Sequence, residues 1–479
     1  MKRFYLVCLF PILITTLLFS QANSTGTANI GSWQANSQAR ANILEGFGKS
    51  RLGFELNSLP IHSGTTSGRN TKPPANQLFS PAVPYESGGL DAYSVTVADV
   101  NGDGKTDILV ANACASSDNC DNGSVAVLLN NGDGAFQKPV SYSSGGYYAV
   151  SVAVADVNGD GAQDLVVANA CSNTNCQGGS VDVLLGNGDG TFQAAVSYGA
   201  GGFDAQSVAI GDINGDGRPD LVVTLCALNG PSSCGDRNGG IAVLLGNGDG
   251  TFQAAVGINS SGVGAKSVAL ADVNGDGKTD LLIANLCTSD CMGAPYGGVV
   301  VMLGNGDATF QEPVNYGSGG FMAVCIVAGD VNGDGKLDLI VANENSLFSG
   351  AGSIAVLLGR GDGTFEGATT FGPDDAGGYF GGLALGDFDR DGKLDIASGF
   401  SNSVMLGNGD GTFQSSLPLG ASGYGIAVGQ FNRDRRQDLA VVGGSNVDVL
   451  LNISVLASGT SAGPHPVHHL SASGRSSQQ

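Results

Sequence analysis

Six copies of one acidic nine-residue pattern at near-regular spacing, four short apolar runs repeated between successive copies, and 78 glycines predict an all-β chain. The architecture they predict is a seven-bladed β-propeller of four-stranded antiparallel blades, closed by an N-terminal strand.

The spacing comes first. The pattern Asp-x-[Asn/Asp]-x-Asp-Gly-x-x-Asp starts at Asp99, Asp156, Asp212, Asp272, Asp330 and Asp387, and a degraded seventh, Gln430-Phe-Asn-Arg-Asp-Arg-Arg-Gln-Asp438, follows. The first six starts are 56 to 60 residues apart and the seventh comes after 43, a period that belongs to stacked supersecondary units. Units that bury their faces only against neighbours make one body, so the repeat overrides the roughly three domains that length alone suggests.

Each copy is a cation loop by composition. Side-chain oxygens at positions 1, 3 and 5, Gly at 6 for a sharp turn, a backbone carbonyl at 7 and a carboxylate at 9 suit a hard cation that takes 6 to 8 oxygens at about 2.3–2.6 Å, and calcium is the expected ion. The candidate ligands are Asp99, Asn101, Asp103, Lys105 and Asp107 in unit one, and Asp156, Asn158, Asp160, Ala162 and Asp164 in unit two. Asp212, Asn214, Asp216, Arg218 and Asp220 follow in unit three, and Asp272, Asn274, Asp276, Lys278 and Asp280 in unit four. Unit five offers Asp330, Asn332, Asp334, Lys336 and Asp338, and unit six Asp387, Asp389, Asp391, Lys393 and Asp395. Position 7 contributes only its carbonyl, so Lys, Arg and Ala are equally suitable there. An EF-hand is excluded because position 12, where it needs a bidentate Glu, holds Val110, Val167, Val223, Ile283, Val341 and Ser398. The β-helix calcium repeat fails on its much shorter period.

The apolar runs supply the strands. In unit two, Ser151-Val-Ala-Val-Ala155 leads into the loop and Asp164-Leu-Val-Val-Ala-Asn169 leaves it. Gly179-Ser-Val-Asp-Val-Leu-Leu185 and Thr191-Phe-Gln-Ala-Ala-Val-Ser-Tyr198 follow, joined by a Gly-Asn-Gly-Asp-Gly turn. These short β-branched runs between Gly, Asn and Asp turns make a meander. Ala98, Ala155, Gly211, Ala271, Gly329, Gly386 and Gly429 precede the loops, with Val97, Val154, Ile210, Leu270 and Leu385 one position earlier. Small and large positions alternate as close packing of adjacent sheets requires. An orphan strand, Phe79 to Tyr85, precedes the first unit, while the last stops after Asn446-Val-Asp-Val-Leu-Leu451. Joined, they complete the seventh blade.

On these residues the repeats resemble FG-GAP/VCBS repeats, those of the integrin α-subunit propeller and of many bacterial secreted proteins, over residues 77–452. The resemblance implies calcium between the first and second strands of each matching blade, and a ligand-binding surface on the opposite face. Unit seven departs at Gln430 and Arg435, so calcium is carried over to six loops.

Residues 1–22 read as a secretory leader: Lys2 and Arg3, an apolar run from Phe4 to Phe19, then Ser20-Gln-Ala22. A secreted, periplasmic or cell-surface location is expected, with no stable membrane span. Eight cysteines fall as close pairs between strands two and three, Cys114/Cys120, Cys171/Cys176, Cys226/Cys234 and Cys287/Cys291. In an exported chain these are expected as local disulfides. Zinc is the rival, but it would need pairs from different blades to converge, and no histidine lies between 77 and 452. Cys325 is left over, expected as a buried thiol. Residues 23–76 and 453–479 are polar and rich in breakers, expected to be disordered or extended, and hold all four histidines.

The net charge is −22, yet 21 of the 43 acidic residues sit in the seven motifs. Six divalent cations would cancel more than half of that charge, and no basic stripe suggests nucleic acid. The face opposite the cation loops carries Tyr147, Tyr148, Phe203, Phe321, Tyr379, Phe380 and Tyr424. These suit either recognition or simple capping of a channel mouth. The expectation is a monomeric, non-enzymatic binding or adhesion module for an extracellular protein or glycan. The alternatives are a carbohydrate-active enzyme of the polysaccharide-lyase kind and a purely structural envelope protein. No nucleophile-and-base arrangement stands out, and the lone Trp33 lies outside the repeats. Arg360-Gly361-Asp362 sits where unit two has Asn187-Gly-Asp189, and reads as a drifted hairpin turn.

Overall fold

The computed structural model describes residues 77–454 except 117–119, 121, 229, 231–237, 289–290, 292–295, 345–351, 372–380 and 400. The expected leader, the N-terminal flank, nearly all of the C-terminal tail, Cys234, Tyr379 and Phe380 lie outside these residues. Residues 75–479 form one compact unit by contacts, separate from residues 1–74. Among the described residues every regular element is a strand. Among them no helix is long and apolar enough to cross a membrane.

Unit two shows the plan. Strand one, Tyr147–Ala155, pairs antiparallel with strand two, Asp164–Cys171, which pairs with strand three, Ser180–Leu184, and that with strand four, Val196–Gly199. Strand two is buried at all eight positions, which explains its continuous apolar run. Strand one is longer than its apolar run suggests, because it begins beyond a bulge between Ala149 and Ser151. Strand four is shorter, since Phe192 makes only an isolated bridge to Gly186 before the ladder resumes at Val196.

Five sheets have four strands. The sixth has seven, a departure from separate four-stranded blades: units three and four share Val256–Ala271, which runs on from strand four of one into strand one of the next. Strand three of unit three, Asn238–Leu244, pairs Asn238 with Val263 across a bulge, and the equivalent pair Tyr296–Phe321 in unit four is followed by a break at Met322.

The small-large alternation works between neighbouring units. A Cβ on Gly211 would come 2.9 Å from Leu270 Cδ1 of the next unit, and one on Gly329 would come 2.6 Å from Leu385 Cδ1 of its next unit. A second contact recurs at the loops. The N–H of the turn between strands three and four of one unit donates to the carbonyl of loop position 2 in the preceding unit, as Gly190 to Val100, Ala308 to Ile213 and Gly411 to Val331. Gly134 of unit one makes this bond to Phe431 of unit seven, at 3.0 Å.

Unit seven takes its outermost strand from the beginning of the repeat region. Val83–Glu86 pairs with Asn446–Leu450, Val83 opposite Val449 and Glu86 opposite Asn446. Phe79 bridges to Asn452 and lies edge-on to Phe388, centroids 5.6 Å apart.

Candidate functional site

In all six intact loops the same bonds turn side-chain oxygens inward. The position-1 carboxylate accepts the N–H groups of positions 5 and 6; Asp99 does so from Asp103 at 3.1 Å and Gly104 at 2.8 Å. Asp156, Asp212, Asp272, Asp330 and Asp387 repeat the pair. Asn101, Asn158, Asn214, Asn274, Asn332 and Asp389 accept the N–H of position 5 at 2.9–3.1 Å. Asp103, Asp160, Asp216, Asp276, Asp334 and Asp391 accept that of position 7 at 2.8–3.0 Å. Gly at position 6 is left-handed throughout, as at Gly104 (φ 77°) and Gly392 (φ 87°), a conformation that costs other residues about 1–2 kcal/mol.

Position 9 has a structural role of its own. Asp107, Asp164, Asp220, Asp280, Asp338, Asp395 and Asp438 are fully buried. One oxygen of each accepts the N–H of loop position 2 at 2.7–3.1 Å. The other accepts an N–H just past strand three, from Asn130, Gly186, Gly246, Gly304, Gly359, Gly407 and Asn452, at 2.7–2.8 Å. The residue thus staples the loop to the third strand, and unit seven keeps the staple although it has lost the position-1 carboxylate. Asp438→Ala should therefore destabilise by about 3 kcal/mol, the scale of two hydrogen bonds to a charged acceptor. Denaturant unfolding measures it, and a change under about 0.5 kcal/mol would refute the staple.

The electrostatics fit a divalent cation best in unit six. Carboxylate oxygens of Asp387, Asp389 and Asp395 lie within 4.8 Å of one another. Burial first, then the charges of Asp389 and Asp387, push Asp395 up to about 8 against two backbone N–H bonds that act the other way. Burial also raises Asp387 and Asp389. Asp107 and Asp338 rise to about 6 for the same leading reason. A hard cation beside such oxygens would restore their ionised forms. The position-7 side chains partly neutralise position 5: Lys105 to Asp103 at 2.7 Å, Lys278 to Asp276 at 3.5 Å, Lys336 to Asp334 at 3.2 Å and Lys393 to Asp391 at 3.1 Å, with Arg218 at 3.9 Å from Asp216. Ala162 adds no charge. A second group, Asp91 with Cys114 and Cys120, is no metal site, because its two sulfurs are joined to each other.

At the other ends of the strands, Cys114–Cys120, Cys171–Cys176 and Cys287–Cys291 form local disulfides, with Cα atoms 4.4, 4.6 and 5.6 Å apart. Cys226 is disulfide-bonded as well. Cys325 is free; the residue as a whole is half-buried at the strand position just past a bulge, packed against a buried cluster with its thiol withdrawn from water. Desolvation pushes its thiol up. Tyr424 stacks on Tyr93 across units seven and one, and Phe321 on Tyr296, both with centroids 5.2 Å apart. Tyr147 and Phe203 open their strands, partly buried.

Sequence reasoning missed two features. Asp91, Tyr148, Asp204 and Met322 are left-handed at one equivalent position, and each is followed by a strand-one bulge. Near them Lys266 Nζ donates to Gln206 Oε1 and Gln206 Nε2 to Asp204 Oδ1, both at 2.7 Å. Glu344, buried with Oε2 outside any hydrogen bond, is pushed by desolvation to about 7, opposed by the charge of Lys266. The Ala-x-Ser run after Asp91, Tyr148 and Asp204, with Ala323-Val-Cys325 after Met322, was the available signal. The other missed feature is the backbone of loop seven, where Arg433 and Arg435 are left-handed. Arg360–Asp362 is the expected turn, with Arg360 N–H to Thr364 O as in Asn187 to Thr191.

A family model of the FG-GAP-like repeat matches residues 99–167, 156–223, 232–283, 287–341 and 330–398. The chain belongs to this repeat family. It is also similar to integrin alpha-PS5 of Drosophila melanogaster, 33% identical over 147 residues, which cover 27% of this chain and 14% of that protein. An FG-GAP-like repeat chain thus shares only a small part of that relative's length.

Proposed function

We propose that residues 77–452 form a closed seven-bladed propeller, stabilised by calcium in six loops, that acts outside the cell as a non-catalytic binding module for a protein or glycan. The bond from Gly134 to Phe431 supports closure, because it makes unit one follow unit seven as unit two follows unit one. The conserved inward geometry of the loops and the raised carboxylates of unit six support the metal. The local disulfides support an oxidising compartment.

The binding face is read as the one opposite the cation loops, and one observation carries it. Four non-glycine residues at equivalent sites hold left-handed backbone ahead of bulges, and such strain persists where it serves to aim side chains. After Asp204 it aims Gln206, which accepts from Lys266 Nζ at 2.7 Å, and the charge of Lys266 reaches the buried Glu344. The likeness to an integrin α chain agrees with a recognition role. The test is a glycan array and a panel of purified surface proteins probed in calcium, with Gln206→Ala/Lys266→Ala as the variant. Loss of the wild-type ligand at unchanged melting temperature is expected; retention at full affinity refutes this face as the site.

A further inference from the structure

Loop seven is built differently from its six siblings. In each sibling the N–H groups of positions 5 and 6 converge on the carboxylate of position 1. Gln430 replaces that carboxylate, is exposed, and accepts neither bond. Asp434 N–H now donates only to Asn432 Oδ1, at 3.2 Å, and Arg435 N–H has no acceptor among the described residues. The backbone still follows the sibling path, with φ of 61° at Arg433 and 65° at Arg435, where the siblings have glycine at position 6 and mostly at position 4. Alternating right- and left-handed residues make successive N–H groups converge into an anion-binding concavity. The siblings show what fits it: a carboxylate.

The side chains around this concavity have changed sign. Arg433 and Arg435 are exposed, and Arg436 is tied to Asn452 O at 3.1 Å and to Asp434 at 3.7 Å. A Cβ on Gly132 would come 3.1 Å from Lys105 Cε and 3.4 Å from Arg433 Nε, so Arg433 meets the stem of Lys105, whose ammonium pairs with Asp103, over unit one. In a chain of net charge −22, two arginines stand where glycine would relieve the backbone.

We infer that loop seven has exchanged the cation site of its siblings for an oxyanion site that holds a carboxylate or sulfate of an anionic polysaccharide between the N–H groups of Asp434 and Arg435 and the guanidinium groups of Arg433 and Arg435. Guanidinium forks match such groups two bonds at a time. The site does not depend on the opposite face or on metal in the other loops, so either reading can fail without the other.

The test measures binding of heparin, hyaluronate and inorganic sulfate to the full chain in millimolar calcium. Wild type should bind at least one of the polymers, with inorganic sulfate competing only at far higher concentration. Arg433→Gly/Arg435→Gly should weaken polymer binding about tenfold or more without lowering the melting temperature. Gln430→Asp, which keeps every arginine but refills the concavity from within, should weaken it too. Lys278→Ala/Lys336→Ala, which removes equal charge from other loops, should stay within about twofold. Equal loss in the lysine variant, full binding by Gln430→Asp, or binding of inorganic sulfate without either polymer would each overturn the inference.

Discussion

Deletion of residues 77–86 is expected to abolish the stable fold of the repeat region, whereas deletion of 23–74 should leave its melting temperature nearly unchanged. The ten residues carry the fourth strand of unit seven, whose four register pairs run from Val83–Val449 to Glu86–Asn446. Ser80 N–H to Leu451 O and Ile453 N–H to Leu78 O, both 2.8 Å, extend the tie on either side of the Phe79 bridge. Phe79 is 5% exposed, packed among Phe388, Leu439, Val441 and Leu450. Losing that ring alone is worth about 3–5 kcal/mol, a large share of the 5–15 kcal/mol that typically separates folded from unfolded. Deletion would also bare the edge of Asn446–Leu450, and an apolar edge strand recruits other chains. Residues 23–74 lack any core-forming pattern, so their removal takes away none of these contacts. Calorimetry and size-exclusion chromatography of both truncations provide the measurement. Equal thermal stability and monomeric elution for the two would refute closure by this strand.

How far the sequence reveals this molecule depends on the range of each interaction. The loops are legible because their chemistry is local: nine residues carry the oxygens, the glycine and the spacing. The strand that completes unit seven is legible because a unit missing one strand and an orphan strand at the other end suit each other. Bulges are not legible, so strand one seemed to begin at Ser151 rather than Tyr147. The left-handed Tyr148 is marked only by the Ala149-Val-Ser151 run behind it, which does not by itself reveal the bulge. The shared strand of units three and four likewise has no local signal. The double role of position 9 was hidden because its second bond joins residues up to 26 positions apart, as from Gly246 to Asp220. In loop seven the two arginines read as decay, because composition cannot show that the loop path survives without the carboxylate of position 1.

Chelation of divalent cations should lower the melting temperature and cost roughly 2–8 kcal/mol, most of it at the alkaline end of the working range. Sites with dissociation constants of about 10⁻⁴–10⁻³ M give about 0.4–1.4 kcal/mol each in millimolar calcium, and six loops are taken to contribute. The pH dependence follows from the buried carboxylates. Without metal, folded Asp395 titrates near 8, and Asp107 and Asp338 near 6, whereas the unfolded chain releases these protons near 4. Between those values the folded state holds more protons than the unfolded state. Stability of the chelated protein must therefore fall as pH rises from about 4, through about 6 for Asp107 and Asp338, to about 8 for Asp395. Calcium favours the ionised carboxylates in the folded state and flattens that slope, so its stabilisation should be larger at pH 8 than at pH 5. Calorimetry at both values, with calcium and with chelator, and a parallel count of bound metal decide the matter. An unchanged melting temperature with no calcium bound would refute the six loops as metal sites. A calcium effect no greater at pH 8 would show that the carboxylates of position 9 staple the loops without sensing the ion.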